Sequence, residues 1–280
     1  MDPNPPSGQG PSRPGATVRA NGLDIGYDVA GAGPPLLLLH GAATPGRRTW
    51  DALLPSLATG FRVYLPDARG HGRTKWDVAD GFEAGWLVDD ALAFADALGL
   101  ATFHLGGYSM GAMTALELAA RVPARIRTLV VAGVTPEREP RASVCARLLD
   151  PDRVARDERT WAADLALTHD PVQGDGAWRP LLMAIAADVA TQRLLTPAEL
   201  HGIDAPTLVV CGDRDPLVPV GQAWALSRAV RNGRLLVAPD AGHDVVHERA
   251  DLLGPALLAF YRSTASIAVE RADAPAEVAR

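Results

Sequence analysis

The sequence has few cysteines, no excess of basic charge and no long apolar run, and each shortage excludes a class of protein. Two cysteines among 280 residues, Cys145 and Cys211, are too few for a disulfide framework. Both have apolar neighbours, so we expect buried free thiols and a cytoplasmic protein. No run of about 18 apolar residues occurs, which excludes a membrane-spanning helix. Acidic residues (33) outnumber basic residues (27), which argues against a nucleic-acid partner.

The composition is that of a folded globular chain, with 48% apolar and 21% charged residues. Single α/β domains reach this length, so one large domain is expected. Residues 1–16 are rich in Pro, Gly and Ser, and we expect a disordered tail there, neither a signal peptide nor a membrane anchor. Residues 266–280 are charged and Ala-rich, and we expect a loose C-terminal tail.

Between these tails, short apolar runs alternate with longer helical patterns. An Asn21-Gly22 dipeptide separates two short extended segments and predicts a hairpin. Later apolar runs lack polar alternation, as strands buried on both faces of a parallel sheet do. They begin at Leu36, Val63, Phe103, Leu129, Leu208 and Leu235. The sequence therefore predicts an α/β fold, with a mostly parallel sheet, an N-terminal antiparallel hairpin and helices on both faces.

One interval between the predicted strands is unusually long. Residues 135–201 contain helical patterns of their own and exceed an ordinary connection between strands. We expect them to form a helical cap inserted into a core made of residues 17–134 and 202–265. The alternative is an ordinary sheet-covering helix with loops, but the number of residues favours a cap.

The strongest local motif is Gly107-Tyr108-Ser109-Met110-Gly111, which follows the Phe103 strand and precedes a helical pattern. A sharp strand-to-helix turn exposes its central side chain and requires small residues two positions away. The motif predicts that Ser109 is a nucleophile at the N-terminus of a helix. The alternative is a glycine-rich turn with an N-capping serine, but the strand–turn–helix context favours the nucleophile.

A serine nucleophile needs a base, and seven histidines compete for that role. His243 follows the last predicted strand by a short turn, which places it at the same sheet edge as Ser109. His247 would complete a His-x-x-x-His pair with it. However, Asp244 stands where the metalloprotease motif has Glu, and no third ligand is evident. We therefore predict a catalytic His243, and neither a metal nor a cofactor.

The base in turn needs a carboxylate from a loop between the serine and the histidine in chain order. The loop after the Leu208 strand offers Asp213 and Asp215, and spacing alone does not distinguish them. We favour Asp215 because Pro216 biases it towards a loop conformation. Asp213 is equally suited to a surface pair with Arg214.

Two backbone N–H groups are predicted to receive the negative charge that develops in acyl transfer. One belongs to Met110, at the start of the helix after Ser109. The other belongs to Ala42, in the loop after the Leu36 strand, where Gly41 allows the backbone to bend. Taken alone, His40-Gly41 would indicate only a turn that ends a strand.

From about Val18 to Ser263 these motifs, in this order, resemble those of the α/β-hydrolase superfamily. The resemblance rests on Leu39-His40-Gly41, Pro66-Asp67-Ala68-Arg69-Gly70-His71-Gly72, the Ser109 motif, Gly212-Asp213-Arg214-Asp215 and Gly242-His243. It implies a Ser109–His243–Asp215 triad, and the family's Gly-x-x-Asp pattern favours Asp215. It also implies that residues 67–72 shape a loop near the pocket, although Thr74 stands where similar proteins often have Ser.

The resemblance implies a serine hydrolase that forms an acyl-enzyme from a small or medium ester, lactone or thioester. The alternatives are a C–C bond hydrolase, a cofactor-free perhydrolase and a non-catalytic small-ligand receptor. The expected partner is a small acyl substrate, without nucleic acid or membrane. Arg47 and Arg48 are candidates for binding a substrate carboxylate, although we expect solvent exposure. Large apolar residues that are candidates for lining the pocket, although each is more often a core residue, are Trp50, Trp76, Trp161, Trp178 and Met183.

Overall fold

The computed structural model describes residues 13–272, where eight strands and twelve α-helices are found. The strands are β1 (Arg13–Ala20), β2 (Leu23–Ala30), β3 (Pro35–Leu39), β4 (Arg62–Pro66), β5 (Phe103–Tyr108), β6 (Ile126–Ala132), β7 (Thr207–Gly212) and β8 (Gly233–Ala238). The helices are α1 (Gly46–Trp50), α2 (Leu54–Leu57), α3 (Ala84–Ala97), α4 (Met110–Arg121), α5 (Arg141–Leu148), α6 (Pro151–Asp157), α7 (Arg159–Gln173), α8 (Trp178–Thr191), α9 (Pro197–His201), α10 (Val220–Ala229), α11 (Val245–Glu248) and α12 (Ala250–Ala272).

All eight strands form one sheet in the order β1-β2-β4-β3-β5-β6-β7-β8. The pairs β1–β2 and β2–β4 are antiparallel, and the remaining pairs are parallel. Asn21 (φ 45°) and Gly22 (φ 75°) have the positive φ angles that a tight hairpin turn requires. The predicted fold class, a mostly parallel sheet that begins with an antiparallel hairpin, is confirmed.

The apolar run in β3 shows why unbroken apolar strands lie at the centre of this sheet. Leu37 and Leu39 pack in a core with α3, α4 and α10 on one face. Leu36 and Leu38 pack in a second core with α1, α2 and α12 on the opposite face. Successive side chains of a strand point to opposite faces, so a strand covered by helices on both sides needs apolar residues throughout.

Five helices, α5 to α9, lie between β6 and β7, within the interval that sequence analysis assigned to a cap. We call residues 141–201 the helical insertion. Its apolar residues form a third core, separate from the two cores that cover the sheet. This core also includes Ala43, from the loop after β3, and Trp76, so the insertion packs against the carboxyl edge of the sheet.

Both predicted tails overlap regular structure. Strand β1 begins at Arg13, because backbone pairing with β2 extends as far as Arg13 opposite Val29. Helix α12 continues to Ala272, so residues 266–272 are helical where a loose tail was expected. Ala and Glu favour helix, and no Gly or Pro interrupts this stretch. Residues 1–12 and 273–280 of the predicted tails lie outside the described residues. None of the helices in the described part is long and apolar enough to span a bilayer.

Candidate active site

Ser109 lies in the sharp turn between β5 and α4, with φ 51° and ψ −112°. Positive φ is unfavourable for a residue with a Cβ atom, so the surrounding structure must hold this conformation. A Cβ atom added to Gly107 would lie 2.2 Å from the carbonyl oxygen of Gly111, and one added to Gly111 would lie 2.4 Å from that of Leu39. These two approaches explain why the motif has glycine on either side of the serine.

His243 lies between Ser109 and Asp215 in one chain of hydrogen bonds. Its Nδ1 is 2.8 Å from Asp215 Oδ2, and its Nε2 is 2.9 Å from Ser109 Oγ. An ionised carboxylate only accepts hydrogen bonds, so Nδ1–H donates to Asp215 and Nε2 accepts from the serine hydroxyl. This is the tautomer in which a histidine is able to take a proton from serine.

The surroundings of Asp215 keep its carboxylate in place. Its side chain is fully buried, and Oδ1 accepts hydrogen bonds from the backbone N–H groups of Leu217 (2.8 Å) and Val218 (3.1 Å). Oδ2 is therefore available to His243. Asp213 points elsewhere: its Oδ1 accepts from the backbone N–H of Ala241 at 3.1 Å, which ties the β7 loop to the loop that carries His243.

Two backbone N–H groups beside Ser109 are without acceptors. Among the described residues, no protein group accepts a hydrogen bond from the N–H of Met110 or of Ala42. Met110 begins α4, whose first N–H groups have no partners within the helix. A Cβ atom on Gly41 would lie 2.8 Å from the Tyr108 ring, so only glycine lets the Ala42 loop come this close to the serine turn.

Three buried histidines, which we call the histidine cluster, hold the loops around this site. His40 Nε2 accepts from the N–H of Ala68 (2.8 Å), and His71 Nε2 accepts from the N–H of Ala43 (3.1 Å). His169 Nδ1 accepts from the N–H of Gly72 (3.1 Å). The other ring nitrogen of each histidine contacts a backbone carbonyl, that of Gly41, Arg69 and Ala43 respectively. Each ring is therefore bound as the neutral imidazole.

Burial lowers the pKa of all three cluster histidines, and most strongly that of His71, because a charged imidazole loses hydration there. Within the described residues, no group of three or more His, Cys, Asp or Glu side chains is suited to holding a metal ion. His247 contacts Asp244 and the carbonyl oxygen of Arg48, and the bond to Asp244 raises its pKa to about 9.

A pocket of about 550 Å³ opens beside Ser109. Its walls come from the serine turn, the Ala42 loop, α3 and the helical insertion. The lining residues are Ala42, Phe82, Ala84, Leu87, Ser109, Met110, Met113, Thr114, Gly133, Val134, Arg141, Cys145, Leu149, Ile185, Asp188, Val189, Gln192 and Leu217. Apolar side chains dominate this lining, and Arg141 and Asp188 are its charged members.

None of the five large residues predicted to line the pocket does so. Trp50 is buried beneath the sheet, in the core that contains α12. Trp76, Trp161 and Trp178 pack within the core of the helical insertion, and Met183 is 60% exposed. Position in the chain, after a loop near Ser109 or within the insertion, does not decide which of several apolar surfaces a large side chain joins, so these assignments were wrong.

The arginine that lines the pocket is not one of the two that the sequence suggested for binding a substrate carboxylate. Arg47 and Arg48 are exposed, as expected, and Arg48 pairs with Asp164 at 2.6 Å. Arg141 lines the pocket and was missed, because no motif separates it from the many other arginines of this chain. Of the predicted free thiols, Cys211 is buried, whereas Cys145 is partly exposed and lines the pocket.

Comparisons with known proteins identify the family. The model of the "Alpha/beta hydrolase family" matches residues 36–255. A non-heme haloperoxidase of Rhodococcus erythropolis is 29% identical over 87% of this chain and 98% of its own length. The 2-hydroxymuconate semialdehyde hydrolase of Pseudomonas sp. (strain CF600) is 28% identical over 82% of this chain and 87% of its own. The solved enol-lactonase of Burkholderia xenovorans LB400 is 25% identical, covers 88% of this chain and 100% of its own, and superimposes with a TM-score of 0.71. The chain belongs to the alpha/beta hydrolase family.

Proposed function

We propose that this protein is a serine hydrolase that cleaves a small or medium ester, lactone or thioester through an acyl-enzyme on Ser109. The observation that carries the proposal is the continuous hydrogen bonding from Ser109 Oγ through His243 to Asp215. A serine becomes a nucleophile when an oriented base is within hydrogen-bond reach. Both contacts, at 2.9 Å and 2.8 Å, meet that requirement.

The reaction begins when Ser109 Oγ attacks the carbonyl carbon and His243 Nε2 takes the hydroxyl proton. Asp215 stabilises the resulting imidazolium and keeps its orientation. The new O–C bond turns the carbonyl oxygen into an oxyanion, for which the N–H groups of Ala42 and Met110 are the available donors. His243 then returns its proton to the leaving group as the acyl–leaving group bond breaks. Water, deprotonated by the same histidine, hydrolyses the acyl-enzyme and frees the serine.

The pocket supports a small or medium substrate. Its lining is mostly apolar with a few polar groups, as is typical of small-molecule sites. Ile185 and Val189 of α8 and Leu149 supply apolar lining from above the sheet edge. We propose that the helical insertion acts as the cap of this pocket. The free thiols of Cys145 and Cys211 agree with a cytoplasmic location, which we include in the proposal.

The first experiment is labelling with a fluorophosphonate, followed by a panel of short p-nitrophenyl esters, lactones and thioesters. We expect the wild-type protein to be labelled at Ser109 and to cleave at least one of the three classes. Ser109→Ala should abolish labelling and lower kcat by about 10³-fold or more. The control is Ser263→Ala, because Ser263 is exposed in α12 and should not affect turnover. Near wild-type hydrolysis by Ser109→Ala would contradict the proposal.

Two relatives support alternative reactions on the same residues, namely C–C bond hydrolysis and perhydrolysis. The 2-hydroxymuconate semialdehyde hydrolase and the haloperoxidase align with most of this chain, at 28% and 29% identity. A panel that includes a vinylogous diketone, and peroxide with a short carboxylic acid, separates C–C hydrolysis and perhydrolysis from ester cleavage. A protein that is labelled but turns over none of these compounds would instead be a small-ligand receptor.

A further inference from the structure

Arg141 is a buried cation without a partner, at the wall of the Ser109 pocket. It is the first residue of α5, is 6% exposed and lines the pocket. Its Nε and Nη2 atoms are buried and have no hydrogen-bond partner, and none of the described carboxylates forms an ion pair with it. Three features therefore coincide in one side chain: positive charge, burial and unused donors.

Such a side chain is unfavourable for stability. An unpaired charge that is removed from water loses hydration that nothing replaces. Arg69 shows how this fold otherwise accommodates a buried guanidinium: its Nε and Nη2 atoms bind both carboxylate oxygens of Asp90, at 2.7 Å and 2.8 Å. Because Arg141 lacks any such pairing, its position is not explained by the stability of the fold.

The carboxylate of Asp188 attracts Arg141 through space, but no described group forms a hydrogen bond or ion pair with the guanidinium. Asp188 is the acidic residue of the lining, but its Oδ1 accepts from the N–H of Ala84 at 2.8 Å, and burial raises its pKa. Burial also raises the pKa of the Cys145 thiol, which favours its uncharged form. Arg138 is directed elsewhere, to the carbonyl oxygens at the end of α8. Burial lowers the pKa of Arg141 itself, yet a guanidinium stays protonated at neutral pH.

We propose that Arg141 binds a carboxylate of the substrate, so that the preferred acyl compound has an anionic group in addition to the bond that is cleaved. This inference rests on the proposed serine hydrolysis at Ser109, which lines the same pocket. The planar guanidinium matches a carboxylate with two parallel N–H donors, and two of its nitrogens are unused. A single lining cation suits a monoanion, and the apolar walls suit a hydrocarbon segment between the two groups.

The kinetic test compares two esters of the same shape. One is p-nitrophenyl hydrogen adipate, and the other is p-nitrophenyl 6-methylheptanoate, in which an isopropyl group replaces the carboxylate. We expect the wild-type protein to have a kcat/KM about 10- to 100-fold higher for the adipate ester. Arg141→Met should remove that preference by lowering kcat/KM for the adipate ester more than for the neutral ester, and Arg141→Lys should restore part of it. Arg47→Met, which changes an exposed arginine, is the matched control.

Fluorophosphonate labelling of Ser109 is measured in the wild-type protein and in Arg141→Met. It shows whether Ser109 is a reactive nucleophile, and so tests the proposed hydrolysis separately from the role of Arg141. Equal kcat/KM values for the two esters in a labelled wild-type protein would overturn the carboxylate proposal alone. So would a loss in Arg141→Met that is the same for both esters, because it would indicate general damage to the site.

A binding test keeps the inference testable when neither ester is cleaved. Monomethyl adipate should raise the Tm of Ser109→Ala, whereas dimethyl adipate should raise it less, because only the former has a carboxylate. The added substitution Arg141→Met should remove the difference between the two compounds. Without ligand, Arg141→Met should unfold at the same temperature or higher, since an unpaired buried charge is replaced by an apolar side chain of similar length. Equal shifts for both compounds, or a large loss of Tm in the variant, would overturn the proposal.

Discussion

At the scale of single residues, the two aspartates after β7 have roles that substitution should separate. Asp215→Asn should lower kcat/KM by about 10³- to 10⁴-fold, because an amide no longer holds His243 in the required tautomer. Asp213→Asn should stay within about threefold of wild type, since an amide oxygen still accepts from the N–H of Ala241. Steady-state kinetics on one activated ester measures both, and equal losses would contradict the assignment.

Local patterns in the sequence predicted that Ser109 and His243 lie close together, as their hydrogen bond shows. Ser109 has a strand, a turn and a helix around it, and His243 follows the last strand, so their common edge was predictable. The choice between Asp213 and Asp215 depended on which carboxylate faces the imidazole, and spacing does not encode that direction. Arg141 was not predicted because its burial and its place in the pocket lining arise only when distant segments of the chain pack together.

At the scale of elements, the approach of α4 to β3 sets the position of the serine turn. Gly111→Ala should destabilise the fold by about 1–3 kcal/mol and lower kcat, because its Cβ would meet the carbonyl oxygens of Leu39 and His40 at 2.4 Å and 2.5 Å. Gly85→Ala, in the first turn of α3, is the control: its Cβ would meet no atom within 4 Å. Chemical denaturation and kinetics on both variants test this, and equal stabilities would contradict it.

Strands were predicted better than helices, and the reason is physical. Each parallel strand is a short run of apolar residues that must be buried, so the position of the strand follows from the position of the run in the sequence. The four-residue helices α2 and α11 have no room for a helical repeat and are stabilised by tertiary packing. Trp178 and Met183 of α8 were expected to line the pocket, but Trp178 packs in the insertion core and Met183 is exposed. Ile185 and Val189, which also belong to that core, line the pocket instead.

For the whole molecule, the buried histidines predict a loss of stability in mild acid. The pKa values of His40, His71 and His169 are lowered by burial, and that of His104 is lowered to about 4. The unfolded chain takes up protons near its ordinary value of about 6.5, so the free energy of unfolding is highest above that pH and decreases below it. Each site contributes at most about 1.4 kcal/mol per pH unit.

Denaturation in urea at pH 7.5, 6.5 and 5.5 measures how the free energy of unfolding changes with pH. Most carboxylates titrate below this range. His104→Leu should make the decrease between pH 6.5 and 5.5 shallower, because His104 Nε2 is buried without a hydrogen-bond partner and Nδ1 is hydrogen-bonded to Thr128. The comparison uses slopes, which a change in overall stability does not affect. An unchanged slope in this variant would contradict the account.

Helix α7 is hydrogen-bonded to the two loops that follow β3 and β4. His169 bonds the backbone on both sides of the site, at Ala43 O and at Gly72 N, and Gln173 bonds Thr74 O and the N–H of Trp76. An outward movement of α7 that admits a large molecule would break these four hydrogen bonds. Ala43, next to Ala42, would then lose its contact with His169. Binding of a bulky compound would therefore disturb the loop that holds the Ala42 N–H group beside Ser109. If the proposed hydrolysis holds, we therefore expect bulky esters to be cleaved more slowly than small ones, because their entry would break hydrogen bonds of the backbone.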